Sequence, residues 1–343
     1  MRTISTIALS VALIGLGCGL ANAVTTVCVN AGDASDLQTQ LTNAVGSTVK
    51  TAIQVPRGTY HLDGNQLLFN STAATQGQLD IGGGFNRDCS AQIKNPALTI
   101  IDGQGMSGVL NVRSTAAISV RYLTIENGSA SDAAGLVVDI SGGDIIVDYN
   151  IIQNNHASDE NAGLQAIIAS GSGDVHIDGN LIAGNSANTN VGGGEIDNDG
   201  TGSTYVTNNT IANNSITGPL SNGYGGLFVY GSTSASNNIF WGNTDLDFNA
   251  FDSVMVNNDY GTLGGTPSSN TGSQSVDPQF VGSGNFQLAA TSPLLAQGTT
   301  SPAGNLPTID ILGHDREYDA TTATVDMGAY ERGDEIFKND YDH

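Results

Sequence analysis

Asparagine recurs in two columns that keep step along the middle of the chain. The rows VDYNIIQNN from Val147, IDGNLIAGN from Ile177, VTNNTIANN from Val206 and ASNNIFWGN from Ala235 align on it. The first column is Asn150, Asn180, Asn209 and Asn238, at steps of 30, 29 and 29 residues; the second, Asn155, Asn185, Asn214 and Asn243, has the same steps. A degenerate earlier row, VRYLTIENG, starts at Val120. A repeat of this length signals stacked structural units. Asn and Gly are also ordinary loop residues, but loops have no reason to hold two columns in step over four rows.

A second element lies between the rows: GVLNV from Gly108, GLVVDIS from Gly135, GLQAIIAS from Gly163, GGGEIDN from Gly192 and GGLFVY from Gly225. Each turn of the chain therefore holds two or three short segments, too short and too glycine-rich for helices. The pairs Ile118 and Val120, Ile145 and Val147, and Val175 and Ile177 alternate with polar residues, as half-buried strands do. One strand cannot bury its apolar face alone, so successive turns must stack about 4.8 Å apart with strands paired in parallel. Asn placed inside a corner then bonds to the turn backbone and to the Asn of the next coil, as an amide ladder.

This pattern resembles the right-handed parallel β-helix proteins, the all-β, pectate-lyase-like solenoid also seen in rhamnogalacturonases, phage tailspikes and many bacterial surface proteins. On that resemblance residues 24–95 form an N-terminal cap and first coils, with an amphipathic helix over Ala34 to Ala44, and 96–290 form the parallel β-helix. Residues 291–331, with SPLLAQG, DILGHDRE and VDMGAYE, preceded by VDPQFVGSGNFQLAAT, resemble the closing module of secreted β-helix proteins called choice-of-anchor Q domains. Where that pattern carries an acid this chain has Ala296, which puts a structural salt bridge there in doubt. The acidic tail 332–343 contains GDEIFKNDYDH and is similar to short endings on exported proteins, with an export or attachment tag as one reading and a frayed terminus as the other.

Residues 1–23 have the parts of a secretory signal peptide: Arg2, an apolar run from Ile7 to Leu16, and Ala21-Asn22-Ala23 before Val24. No later stretch is apolar for long enough to span a membrane as a helix. Cys18 raises a lipoprotein alternative, against which Gly15 stands where a lipobox wants Leu. Cleavage after Ala23 leaves Cys28 and Cys89, which suggest one disulfide in an oxidising compartment, two free thiols being the alternative. The expected location is secreted or on the bacterial cell surface. Without the leader the chain carries nine basic and 33 acidic residues, a net charge of −24. Nothing here neutralises a run of phosphates, so nucleic acid is not an expected partner. The 45 glycines argue against a coiled coil, and 39% apolar residues against disorder.

Standard catalytic motifs are absent from the sequence. Gly313-His314-Asp315 comes nearest, and a turn before Arg316 explains it better than catalysis. Aligning the Gly-led strands puts Val137, Gln165, Glu195 and Phe228 in one outward column and Asp139, Ile167, Asp197 and Tyr230 in the next. Glu195 and Asp197 share a face about 6.5 Å apart and are the candidate acid and base of an inverting glycosidase. Gln165, Asp139, Phe228 and Tyr230 are the candidate ligand-binding residues, the aromatics as sugar platforms. A one-residue slip would swap the faces. A pectate-lyase chemistry would need calcium and a base near the sugar, for which the repeat offers only Arg113 and Arg121. Arg121 shares a column with Asp148 and Asp178, and a surface ion pair is its expected role. No cofactor is expected; calcium through Asp148 with Asp178, or through Glu195, Asp197 and Asp199, is the one metal these oxygen ligands suggest. The favoured expectation is a non-catalytic module that binds a polysaccharide or cell-surface glycan. A polysaccharide lyase or glycoside hydrolase is the rival, and a structural spacer the third reading.

Overall fold

The structure, a computed structural model, describes residues 23–218, 223–316 and 324–332; all but Ala23 of the expected leader and most of the acidic tail lie outside them. The chain forms a parallel β-helix of about seven turns with very little helix. Each coil visits three faces. Sheet I has ten strands, from Val24–Cys28 to Ser269–Thr271; sheet II has eight, from Gly58–His61 to Asp259–Tyr260; sheet III has eight, from Leu67–Asn70 to Leu263–Gly264. A small four-stranded sheet, Ser129–Ala130 to Ser215–Ile216, widens the corner between sheets II and III. All rungs of the coils pair in parallel, Val147 beside Val120 and Ile177, for example.

Alternation explains the interior. Ile145, Val147, Val175, Ile177, Val206 and Ala235 point inward from sheet I, fully buried, and join Ile152, Ile182, Ile211 and Phe240 from sheet II in one continuous core. Burying each large aliphatic stabilises by about 1.5–3 kcal/mol. Both asparagine columns form ladders inside the corners. Asn150 donates to Asn180 Oδ1, Asn180 to Asn209 and Asn209 to Asn238, at 3.2, 3.0 and 3.0 Å, and Asn155, Asn185, Asn214 and Asn243 do the same at 2.9 Å. Each Oδ1 also accepts the backbone N–H of the Asn one coil earlier. The ladders run further than the period shows, the first to Asn258 and the second to Asp247 Oδ1.

The residue before each ladder Asn turns the corner with a left-handed backbone: Tyr149, Gly179, Asn208 and Asn237 along the first column, Asn154, Gly184, Asn213 and Gly242 along the second. Asn tolerates that region and Gly prefers it. The glycines leading sheet III have another cause. A Cβ on Gly135, Gly163 or Gly193 would strike the carbonyl oxygen of Gly163, Gly193 or Gly226 on the next coil, so close stacking at this corner excludes any side chain.

The N-terminal end is sealed by the helix Ala34–Ala44, N-capped by Asp33, which accepts from the N–H of Asp36. Leu37, Leu41 and Ala44 bury one face on the core. Gln38 reaches the edge strand of sheet III, where its amide donates to the Leu68 carbonyl and accepts from the Leu68 N–H, so one side chain supplies what a neighbouring strand would. Cys28 and Cys89 are disulfide-bonded.

After Gln274 the chain leaves the stack and folds back along the outer surface of sheet II. It forms two antiparallel pairs, Phe280–Gly282 with Asn285–Leu288 and Gly298–Thr299 with Thr324–Val325. Phe286, Ile311 and Ala329 pack on Ile151, Leu181, Ala183 and Ala212, while Leu288, Leu294 and Met327 pack on Ile239. Asn208 and Asn237, at their left-handed corners, donate to the carbonyls of Asp326 and Gly328 and of Thr299. Asp326 accepts from the Ala296 N–H at 2.7 Å, and the buried ion pair in this region is Arg316 with Glu331, at 3.0 Å. Gly313-His314-Asp315 is a turn in this segment, with the His314 N–H bonded to Asp310 Oδ1.

Candidate functional site

Sheet III carries the acid and aromatic columns in the expected register. Val137, Gln165, Glu195 and Phe228 are paired in sequence across four strands, as are Asp139, Ile167, Asp197 and Tyr230. Alternation turns Leu136, Val138, Leu164, Ala166 and Ile196 into the core and the named columns outward.

The columns are not uniform surfaces. Val137 is buried and contributes no polar group. Asp139 is tied to Arg113 at 3.8 Å, two strands from Asp197. Glu195 is only 9% exposed. Its Oε2 accepts from Asn161 Nδ2 at 2.7 Å and Gln165 Nε2 at 3.2 Å. Burial pushes the Glu195 carboxyl above the usual range, against the pull of those two amides. Asp197 is raised by burial and then by Asp199. Among the described residues no Lys, Arg or His pairs with Glu160, Glu195, Asp197 or Asp199.

One strand on, Phe228 and Tyr230 meet edge to face with centroids 4.5 Å apart, and Tyr224 packs tilted against Phe228, also at 4.5 Å. Tyr230 is 48% exposed, so its ring is open to solvent at the edge of this aromatic group. Two contributors lie outside the outward columns, on the connections entering sheet III. Asn161, in left-handed conformation, buries its amide against Glu195 with its Oδ1 unpartnered. Tyr224 bridges to Val191. The recurrence of Asn161 and Asn190 before successive Gly-led strands was the available signal; both have positive φ.

Sheet I carries the other acidic column. Arg121, Asp148, Asp178 and Thr207 are in register. Arg121 Nε lies 3.1 Å from Asp148, His176 lies 3.7 Å from Asp178, and Tyr205 stacks on His176 at 5.0 Å. Burial, then the neighbouring Asp178, raises the Asp148 carboxyl to about 7. Calcium finds no group of three or more His, Cys, Asp or Glu among the described residues.

Asp148 shares its raised proton affinity with Asp259. Asp259 is fully buried where the folded-back segment meets sheet II, with Oδ1 accepting from the Val276 N–H and Oδ2 unpartnered, and burial raises it to about 7. A carboxyl that binds its proton more tightly in the native state makes the protein lose stability as pH rises from about 4 to about 7, by at most about 1.4 kcal/mol per unit for a fully titrating group. His176, raised mainly by its bond to Asp178, adds loss in the same direction above its ordinary value. Melting followed by circular dichroism is therefore expected to give a midpoint several degrees higher at pH 5 than at pH 8, with a shallower slope in Asp259→Asn. An equal or higher midpoint at pH 8 would contradict these assignments.

No protein-family model matches the chain, and no curated protein matches it. Among the described residues no helix is long and apolar enough to cross a membrane.

Proposed function

We propose that this β-helix is an exported glycan-binding module whose ligand lies along sheet III. The observation that carries the reading is the exposed Tyr230 beside Phe228, one rung from Glu195 and two from Gln165, which donates to Glu195. Aromatic faces stack on the apolar side of a sugar ring, and a carboxylate with amides takes its hydroxyls, the mixed lining typical of small-ligand sites. The leader-like residues 1–23 and the Cys28–Cys89 disulfide support export. The resemblance of the C-terminal segment to choice-of-anchor modules supports a surface setting. Catalysis by Glu195 and Asp197 is the second reading, favoured by the raised affinity of both carboxyls for protons.

Binding to a panel of immobilised plant and microbial polysaccharides, with reducing ends and unsaturated products measured in parallel, separates the readings. Binding without release, lost by about tenfold or more in Tyr230→Ala, is the expected result. Release abolished by both Glu195→Gln and Asp197→Asn would replace the module with an enzyme. Neither binding nor release would leave a spacer.

A further inference from the structure

We propose that two copies of this chain join end to end through their first strands, Val24–Cys28, which pair antiparallel and run sheet I of one copy into sheet I of the other. At this end of the solenoid two of the three strand edges are guarded. Gln38 occupies the edge of sheet III at Leu68, and the turn at Gly32 lies against Gly58 and Thr59 at the edge of sheet II. Sheet I has no such cover. Val24–Cys28 pairs only with Lys50–Pro56, and four of its five residues are exposed. Register fixes which main-chain groups are open. Val29 donates to the Gln54 carbonyl and Cys28 stands opposite Gln54, so Val29, Val27 and Thr25 turn their N–H and C=O groups to Lys50–Pro56. Val24, Thr26 and Cys28 turn theirs the other way, where no described residue meets them.

The strand has none of the devices that blunt a natural edge: VTTVC holds no proline and no charge, and its first four residues are β-branched. It is also self-complementary. With Thr26 on a two-fold axis, its N–H and C=O meet those of Thr26 in the second copy, and Cys28 meets Val24 on either side, so the open groups satisfy one another. Charge selects a second copy and this end of it. Residues 24–95 hold four basic and five acidic side chains, against five and 28 over residues 96–343. Two such chains repel along their shafts, and only these ends meet at close to zero charge. The end-to-end pair leaves the acidic shafts pointing apart. Joining Val24–Cys28 to the far edge of sheet I, Ser269–Thr271, would instead bring an acidic shaft onto each new end and leave edges for further growth. Five residues a side make a small contact, so the pair is a concentration-dependent equilibrium.

Sedimentation velocity and small-angle scattering on the chain from Val24 to His343, as cleavage after Ala23 would leave it, test this. A dimer longer but no wider than the monomer is expected to grow in with concentration and to hold a clear share by about 1 mM. Hydrogen exchange at the Thr26 and Cys28 amides should slow in parallel. Thr26→Pro removes an N–H that bonds to nothing in the single chain, and Thr26→Lys sets two like charges face to face across the axis. Each is expected to weaken the dimer at least about tenfold, while circular dichroism and melting stay as in the parent chain. A chain that is monomeric throughout, a dimer unaffected by both substitutions, or one that widens the particle overturns the proposal. Growth past the dimer overturns it too, by showing that Val24–Cys28 joins Ser269–Thr271, as does exchange of the two amides that is indifferent to concentration.

Discussion

Asn180→Ala is expected to lower the unfolding free energy by about 3–5 kcal/mol, several times the typical point substitution. Asn180 is fully buried at the centre of its ladder. Its Oδ1 accepts from both the backbone and the side chain of Asn150, and its Nδ2 donates to the carbonyls of Val147 and Asp178 and to Asn209 Oδ1. Alanine would orphan all of these partners in a corner closed to solvent. Asn180→Asp keeps the shape but turns a donor into an acceptor facing two carbonyls and an amide oxygen, so it should be no milder. Because the strands of each coil pair only with those of the adjacent coils, the loss weakens the stack at that point, and urea unfolding is expected to broaden or split. Asn188→Ala, an exposed position on the same coil, is the control, with a change below about 0.5 kcal/mol. A loss at Asn180 no larger than the control's would mean that the ladder does not hold the coils.

The second large effect is expected at Arg316. Its guanidinium and the Glu331 carboxylate are almost wholly buried, and Arg316 also donates to the carbonyls of Gly328 and Ala329. Arg316→Met leaves the Glu331 carboxyl, which burial already raises to about 7, without its partner in a buried seam, and breaking such a pair costs about 3–5 kcal/mol. The stack does not depend on that seam, so the outcome is local. Residues beyond Gln274 should become sensitive to a dilute protease while the circular dichroism of the β-helix persists. The double change Arg316→Met with Glu331→Leu should restore most of the resistance, because replacing both partners removes the buried carboxyl left without its cation. Unchanged protease sensitivity in Arg316→Met would show that apolar packing alone secures the segment.

Much of the architecture was legible because a solenoid converts sequence period into spatial register. Asn150 to Asn243 and the outward columns through Glu195 and Phe228 follow from a step of 29 or 30 residues. Where the step changes, legibility ends. Asn258 follows Asn238 by 20 residues and Asp247 follows Asn243 by four, yet both continue the ladders. The path of the C-terminal segment was a long-range matter, although its seat left a trace. Ile151-Ile152, Leu181-Ile182 and Ile239-Phe240 put adjacent apolar residues on opposite faces of a strand, which implies that both faces are covered. Alternation gave the direction of Glu195 but not its depth, because the covering amide of Asn161 comes from a connection that strand alignment does not reach.

The segment that doubles back along sheet II has a bearing on how the molecule can change its length. It is fastened at Asn237 and Asn208 near one end, and near the other it passes the Lys94 carbonyl at Gly313 so closely that a Cβ there would collide with it. Solenoids ordinarily gain or lose units freely, since any rung accepts any similar rung. Here a strut of fixed reach spans the middle rungs, so adding or deleting one would slide its fastenings out of alignment. The strut therefore acts as a gauge that holds this stretch to a set number of units.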